Sequence, residues 1–115
     1  MVETSLKGLT LHVADVEKSI EFYSRIAGAH LERHRPGEFA LFRIGSGSLH
    51  LAKLGGKTRF HIELEADDVN AMHKQLLEAG LEPTTPKHHP WGKTDFKLTD
   101  PDGNQLEFGV FEGNE

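Results

Sequence analysis

From Lys7 to Val13 apolar and polar residues alternate, with Leu9, Leu11 and Val13 on one face and Gly8, Thr10 and His12 on the other. A period of two predicts a strand. Asp15 then offers an N-cap, and Val16, Ile20, Tyr23 and Ala27, widened by Ile26, recur at helical spacing until Gly28 stops the helix. Ala29 to Arg33 and Glu38 to Ile44 read as strands around a turn at Pro36-Gly37, and Ser48 to Leu54 as a fourth strand after Gly45-Ser46-Gly47. Leu54-Gly55-Gly56-Lys57 reads as a linker.

The plan then repeats. Arg59 to Glu65 predicts a strand, and Asp67 caps a helix carrying Val69, Met72, Leu76 and Leu77 that Gly80 stops. Strands are expected at Leu81 to Thr85, Lys93 to Thr99 and Asn104 to Phe111. Asp15 to Gly28 and Asp67 to Gly80 each span 13 residues, and the frames are offset by 52. An internal repeat follows: an α+β fold of two tandem βαβββ modules, about 6–54 and about 58–112, within one domain over 1–115. A helix covers one face of each four-stranded sheet, so the other face needs a cover or forms a cavity. Pairing the modules would curve the sheets around a shared cleft, where a ligand is expected.

Composition narrows the function classes. The 115 residues carry a formal charge of −5, which argues against a nucleic-acid partner. There is no cysteine, so disulfides, thiolate metal sites and a cysteine nucleophile are excluded. No apolar run approaches membrane-spanning length and no basic leader precedes one, so a cytoplasmic protein without a membrane partner is expected. No P-loop, GxGxxG or Ser-His-Asp arrangement occurs. Eight histidines are many for this length and raise a metal site as a question.

The strongest local signal is Asp100-Pro101-Asp102-Gly103 before Asn104-Gln105-Leu106-Glu107-Phe108. Pro101 fixes φ for a type I turn, Gly103 is free to take positive φ, and the tight reversal enters a half-buried strand. Glu107 faces away from Leu106 and Phe108, toward either solvent or a functional cavity.

Three stretches together carry a resemblance: Leu11 to Tyr23 (LHVADVEKSIEFY), Phe60-His61-Ile62-Glu63-Leu64, and Asp100 to Glu107 (DPDGNQLE). The chain resembles the vicinal oxygen chelate superfamily of glyoxalases, extradiol dioxygenases and bleomycin-resistance proteins over nearly its whole length. Such folds host many chemistries. The resemblance implies metal ligands from the first, fourth, fifth and eighth strands. His50, His61 and Glu107 fall on the last three of these positions, as ligands for Fe, Mn, Ni, Co or Zn, with Glu107 also the catalytic base. At the first position, seven residues before the capping aspartate, stands Gly8. His12 is four residues further along, roughly 13 Å away at the strand rise of about 3.3 Å per residue.

His12 stands where glyoxalases carry a glutathione-binding arginine. The resemblance thus implies a substrate-binding wall or proton relay at His12, not glutathione-dependent lyase activity. Trp91, in His88-His89-Pro90-Trp91-Gly92, resembles the family's cleft-bordering Trp-Gly loop, as a substrate contact or a packed turn residue. His30, His34 and His73 are expected at the surface. Two functions remain, the first the expected one and the second its alternative. One is a divalent-metal enzyme, glyoxalase- or dioxygenase-like, chelating vicinal oxygens of a small substrate. The other is a non-enzymatic, ligand-sequestering protein of the bleomycin-resistance type. The ligand set of His50, His61 and Glu107 favours the first, and Gly8 favours the second. A homodimer is implied by the resemblance.

Overall fold

The computed structural model describes Glu3, residues 8–55 and residues 61–111, the side chains of His61 and Phe111 excepted. Lys7, Gly56, Lys57, Arg59 and Phe60, parts of the expected first strand, linker and fifth strand, lie outside the described residues. In chain order come β1 (Gly8–His12), α1 (Val16–Tyr23), β2 (Ala29–Arg35), β3 (Phe39–Ile44), β4 (Gly47–Ala52), β5 (His61–Glu65), α2 (Val69–Glu78), β6 (Lys87–His88), β7 (Lys93–Thr99) and β8 (Gln105–Phe111). The chain divides into two compact units, one with β1–β4 and α1, the other with β5–β8 and α2, with Arg25–Ala27 grouped with the second.

Each unit repeats one topology. The sheets run β1-β4-β3-β2 and β5-β8-β7-β6. First and last strands pair in parallel, Leu11 with Leu51 and Leu64 with Phe108, while β3–β4 and β7–β8 are antiparallel hairpins. In the first unit Leu11, Phe42, Leu49 and Leu51 turn to the core with Val16, Phe22 and Tyr23 of α1. Tyr23 packs its ring between Phe22 and Phe42, at 5.0 and 5.9 Å. In the second, Phe96 stacks on Phe108 at 5.1 Å, and His73, expected at the surface, meets Phe96 edge-on at 5.2 Å from α2.

The helices differ from the expected frames. Asp15 caps α1, its Oδ1 accepting from Lys18 N–H at 3.1 Å. In α2 the cap is Asp68, not Asp67: its Oδ1 accepts from Ala71 N–H at 2.9 Å. With two adjacent aspartates, the one whose carboxylate reaches the third residue onward closes the turn. α1 ends at Tyr23, well before Gly28, and the turns between bury Ile26. Gly80 does end α2, at φ +83, with its N–H on the Leu77 carbonyl and Leu81 N–H on the Leu76 carbonyl.

The strand expected at Leu81 to Thr85 is absent, and β6 is Lys87–His88. Pro83 and Pro86 deprive that stretch of ladder donors. It touches β7 at one point, where Thr84 N–H donates to the Lys97 carbonyl and Lys97 N–H to Thr84 Oγ1, both at 2.8 Å. No helix among the described residues is long and apolar enough to cross a membrane.

Candidate functional site

The turn at Asp100-Pro101-Asp102-Gly103 sets the register of the second sheet. Gly103, at φ +86, donates its N–H to the Asp100 carbonyl at 3.0 Å. Buried Asp100 accepts from the N–H groups of Asp102 and Asn104 at 2.9 and 2.7 Å through Oδ1, and from Asn104 Nδ2 at 2.9 Å through Oδ2. The hairpin then pairs Thr99 with Gln105, Lys97 with Glu107 and Asp95 with Gly109. On the other side of β8, Glu63 pairs with Glu107. Leu106 and Phe108 are buried under α2, so Glu107 stands on the open face between them.

Glu107 is not bare. Lys93 crosses the sheet so that its Nζ donates to Glu107 Oε1 at 2.8 Å and lies 3.7 Å from Asp95 Oδ2. Asp95 Oδ1 in turn meets His89 Nε2 at 2.9 Å. The His89 ring stacks on Trp91 at 4.5 Å and 14° between planes. Side chains of Lys93 and Glu107 are each 14% exposed and that of Asp95 10%, so these charges are sheltered. The hydrogen bond to Glu107 lifts the Lys93 ammonium above its ordinary pKa, aided by the negative charges of Glu107, Asp95 and Glu63 and opposed by burial. A cavity of about 310 Å³ opens here, lined by Glu63, Glu65, Lys93, Glu107 and Gly109 among others.

Gly109 makes the crossing possible. A Cβ at this position would come 2.8 Å from Lys93 Cε and 3.1 Å from Asp95 Cβ. Lys93, Asp95 and His89 are not among the site residues expected from the sequence. Their signal was available: polar Lys93, Asp95 and Lys97 alternate against Phe96 and Leu98, and the hairpin turn fixes which of them face Glu107 and Gly109.

The other expected site residues stand as follows. His61 heads β5 in register with Gln105, two residues before Glu107 on the neighbouring strand; its side chain lies outside the described residues. His50 is exposed on β4 of the first unit, paired with Thr10 and Leu41, beside a cavity of about 210 Å³ shared with Gly8, Leu9, Thr10 and Ser48. His12 is bound to the segment after β4: its Nδ1 accepts from the N–H groups of Leu54 and Gly55, both at 3.0 Å. That geometry puts any ring proton on Nε2. Trp91 is 65% exposed, with one face against His89.

The described donors do not by themselves compose a divalent-ion site, and the side chain of His61, one of the three expected ligands, lies outside them. Gly8 brings no donor, and a Cβ there would run into the Ser48 carbonyl oxygen. The one Glu107 oxygen described in contact is bonded to an ammonium. Among the described residues no three His, Asp or Glu side chains gather as metal ligands.

Two βαβββ units, each pairing its first strand with its last and leaving a polar open sheet face, define a glyoxalase-like α+β protein. The chain belongs to the Glyoxalase/Bleomycin resistance protein/Dioxygenase superfamily, whose family model matches residues 5–108. It is 38% identical over 80 residues to the cadmium-induced protein CadI of Mycobacterium tuberculosis, a match covering 64% of this chain and 52% of that protein. It is 32% identical over 111 residues to the trivalent organoarsenical cleaving enzyme of Bacillus sp. (strain MD1), covering 85% of this chain and 68% of the enzyme. The chain thus spans about half the length of the mycobacterial relatives it matches. Among solved structures, lactoylglutathione lyase from Agrobacterium tumefaciens superposes with a TM-score of 0.81 at 20% identity, covering 94% of each chain. TioX from Micromonospora sp. ML1 does so at 0.81 and 20%, covering 94% of this chain and 99% of its own. At such identities these two speak for the fold alone.

Proposed function

We propose that this chain is a small-molecule-binding protein of the sequestering type, holding its ligand on an open sheet face without a resident divalent ion. One observation carries the reading: β1 and β4 approach so closely at Gly8 that no side chain, and hence no metal-ligating side-chain atom, has room at that position. The first-strand donor that the resemblance implies is missing from the backbone geometry as well as from the sequence. His12 does not replace it, because its Nδ1 is spent on the N–H groups of Leu54 and Gly55. A homodimer in the cytoplasm is part of the proposal.

The relatives' names do not supply a ligand. Trivalent arsenic and cadmium are soft and favour thiolate ligands. This chain has no cysteine, so it has no thiolate to offer. The metal-enzyme reading keeps one observation of its own, the register that brings His61 on β5 alongside the strand of Glu107. In that reading His50, His61 and Glu107 would hold Fe, Mn, Ni, Co or Zn, which would polarise the substrate's oxygens, with Glu107 as base and His12 and Trp91 lining the pocket.

Metal analysis decides between them. Protein purified without chelator, then reconstituted separately with Fe, Mn, Ni, Co and Zn and desalted, is expected to retain far less than one ion per chain, with His61→Ala indistinguishable. A full complement of one metal in the wild type, lost in His61→Ala, would overturn the proposal and restore the metalloenzyme.

A further inference from the structure

Three carboxylates bear on a single ammonium in the second unit. Glu107 Oε1 is 2.8 Å from Lys93 Nζ and Asp95 Oδ2 is 3.7 Å away. Glu63 is in register with Glu107 on the adjoining strand, and its charge acts on the same lysine. Lysine is long and costly to immobilise. Yet this one is held across the sheet at 14% exposure, over a glycine whose missing Cβ leaves the lane open. Asp95 is fixed from its other side by His89. Glu107 is therefore paired with a cation tethered to the chain, in a place where its carboxylate alone would attract a mobile one.

We infer that Lys93 is the site's built-in cation: its Nζ occupies Glu107 in place of a divalent ion and thereby determines what the open face accepts. The inference deepens the metal-free reading and rests on it. Lys93 is a specificity-determining residue, and Gly109 is the residue that lets it act. While the ammonium is seated, an incoming dication meets a like charge at Glu107 Oε1. With the lysine removed, the Glu107 carboxylate loses its ammonium and is left as a hard oxygen donor of the kind that suits Mn²⁺.

The test titrates Mn²⁺ alone into the apo-protein by calorimetry, comparing wild type, Lys93→Ala, Lys93→Arg and Gly109→Ala, with Glu107→Gln made alone and combined with Lys93→Ala and with Gly109→Ala. Lys93→Ala is expected to bind Mn²⁺ at least about tenfold more tightly than wild type, tenfold corresponding to about 1.4 kcal/mol. Lys93→Arg keeps the charge and should stay like wild type, and Glu107→Gln should abolish the gain. Gly109→Ala, which pushes the lysine aside and keeps it in the chain, should gain part of the affinity. It replaces Lys93→Ala as the deciding variant should circular dichroism show the latter unfolded. No gain in the deciding variant, or a gain that survives Glu107→Gln, overturns the inference while leaving the metal-free reading in place. Tight Mn²⁺ binding by the wild type that Glu107→Gln removes overturns both.

Discussion

Gly109→Ala perturbs the Lys93–Glu107 pair without removing either charge. The new Cβ would lie 2.8 Å from Lys93 Cε, 3.1 Å from Asp95 Cβ and 3.2 Å from the Thr94 carbonyl oxygen. The lysine end is flexible and gives way, so the 2.8 Å bond to Glu107 is lost. A hydrogen bond between charged groups contributes about 1.5–3 kcal/mol, which the cost of desolvating both charges reduces here to about 1 kcal/mol. Crowding against Asp95 and Thr94 adds about 1 kcal/mol. Alanine returns about 0.5 kcal/mol by restricting the unfolded chain. The net is about 1.5 kcal/mol of destabilisation, or a fall of about 6 °C in Tm for a chain of this size. Urea denaturation measures it directly, and a double-mutant cycle with Lys93→Ala gives the mechanism. Once the lysine is gone, neither its bond nor its Cε remains to be disturbed, and Gly109→Ala should cost only about 0.5 kcal/mol, a coupling of about 1 kcal/mol. Equal costs in the two backgrounds would refute the reasoning, because Gly109 would then not act through Lys93.

Three further outcomes are expected. Because pairing raises the Lys93 pKa in the folded chain, its contribution is complete below the unfolded value of about 10.4 and is lost as pH rises through the folded one. The stability gap between wild type and Lys93→Ala should therefore be flat from neutral pH to about 10 and narrow above it; a gap that persists unchanged to pH 12 contradicts the pairing. Asp100→Ala leaves the N–H groups of Asp102 and Asn104 and the buried Asn104 amide without their acceptor, and calorimetry should register a loss of about 2–3 kcal/mol, part of it recovered in Asp100→Asn. Ser19 is fully buried on α1 with no hydrogen-bond partner for its Oγ among the described residues, so Ser19→Ala should stabilise by about 0.5–1 kcal/mol, and a loss of stability would show that the hydroxyl is satisfied.

Much of the architecture can be read from local rules. The period-two stretches around Leu9–Val13 and Phe96–Leu98, the caps at Asp15 and Gly80 and the Asp-Pro-Asp-Gly hairpin each depend on neighbours in sequence, and each is where expected. The misplacements have local causes too. Pro83 and Pro86 outweigh the strand suggested by Leu81, and the second of two aspartates takes the cap of α2. Leu77, assigned to the buried stripe, is 52% exposed, while Ser19 takes a buried place on α1.

The site was less legible because its meaning lies in pairings. Glu107 looked like a carboxylate in search of a metal. Its partner, Lys93, is fourteen residues away by sequence and reaches it only because the hairpin register leaves Gly109 between them. His12 looked like a cleft residue, yet its hydrogen bonds run to a loop more than forty residues on. Alternation gives the face of a strand on which a residue stands. It does not give what crosses that face.

The central claim, that Glu107 is served by Lys93 and not by a divalent ion, is most directly tested by anomalous diffraction from crystals grown in excess Mn²⁺. Lys93 Nζ is expected within hydrogen-bonding distance of Glu107, with no anomalous peak between β5 and β8. A peak bonded to His61 and Glu107, with Lys93 turned away, would contradict it.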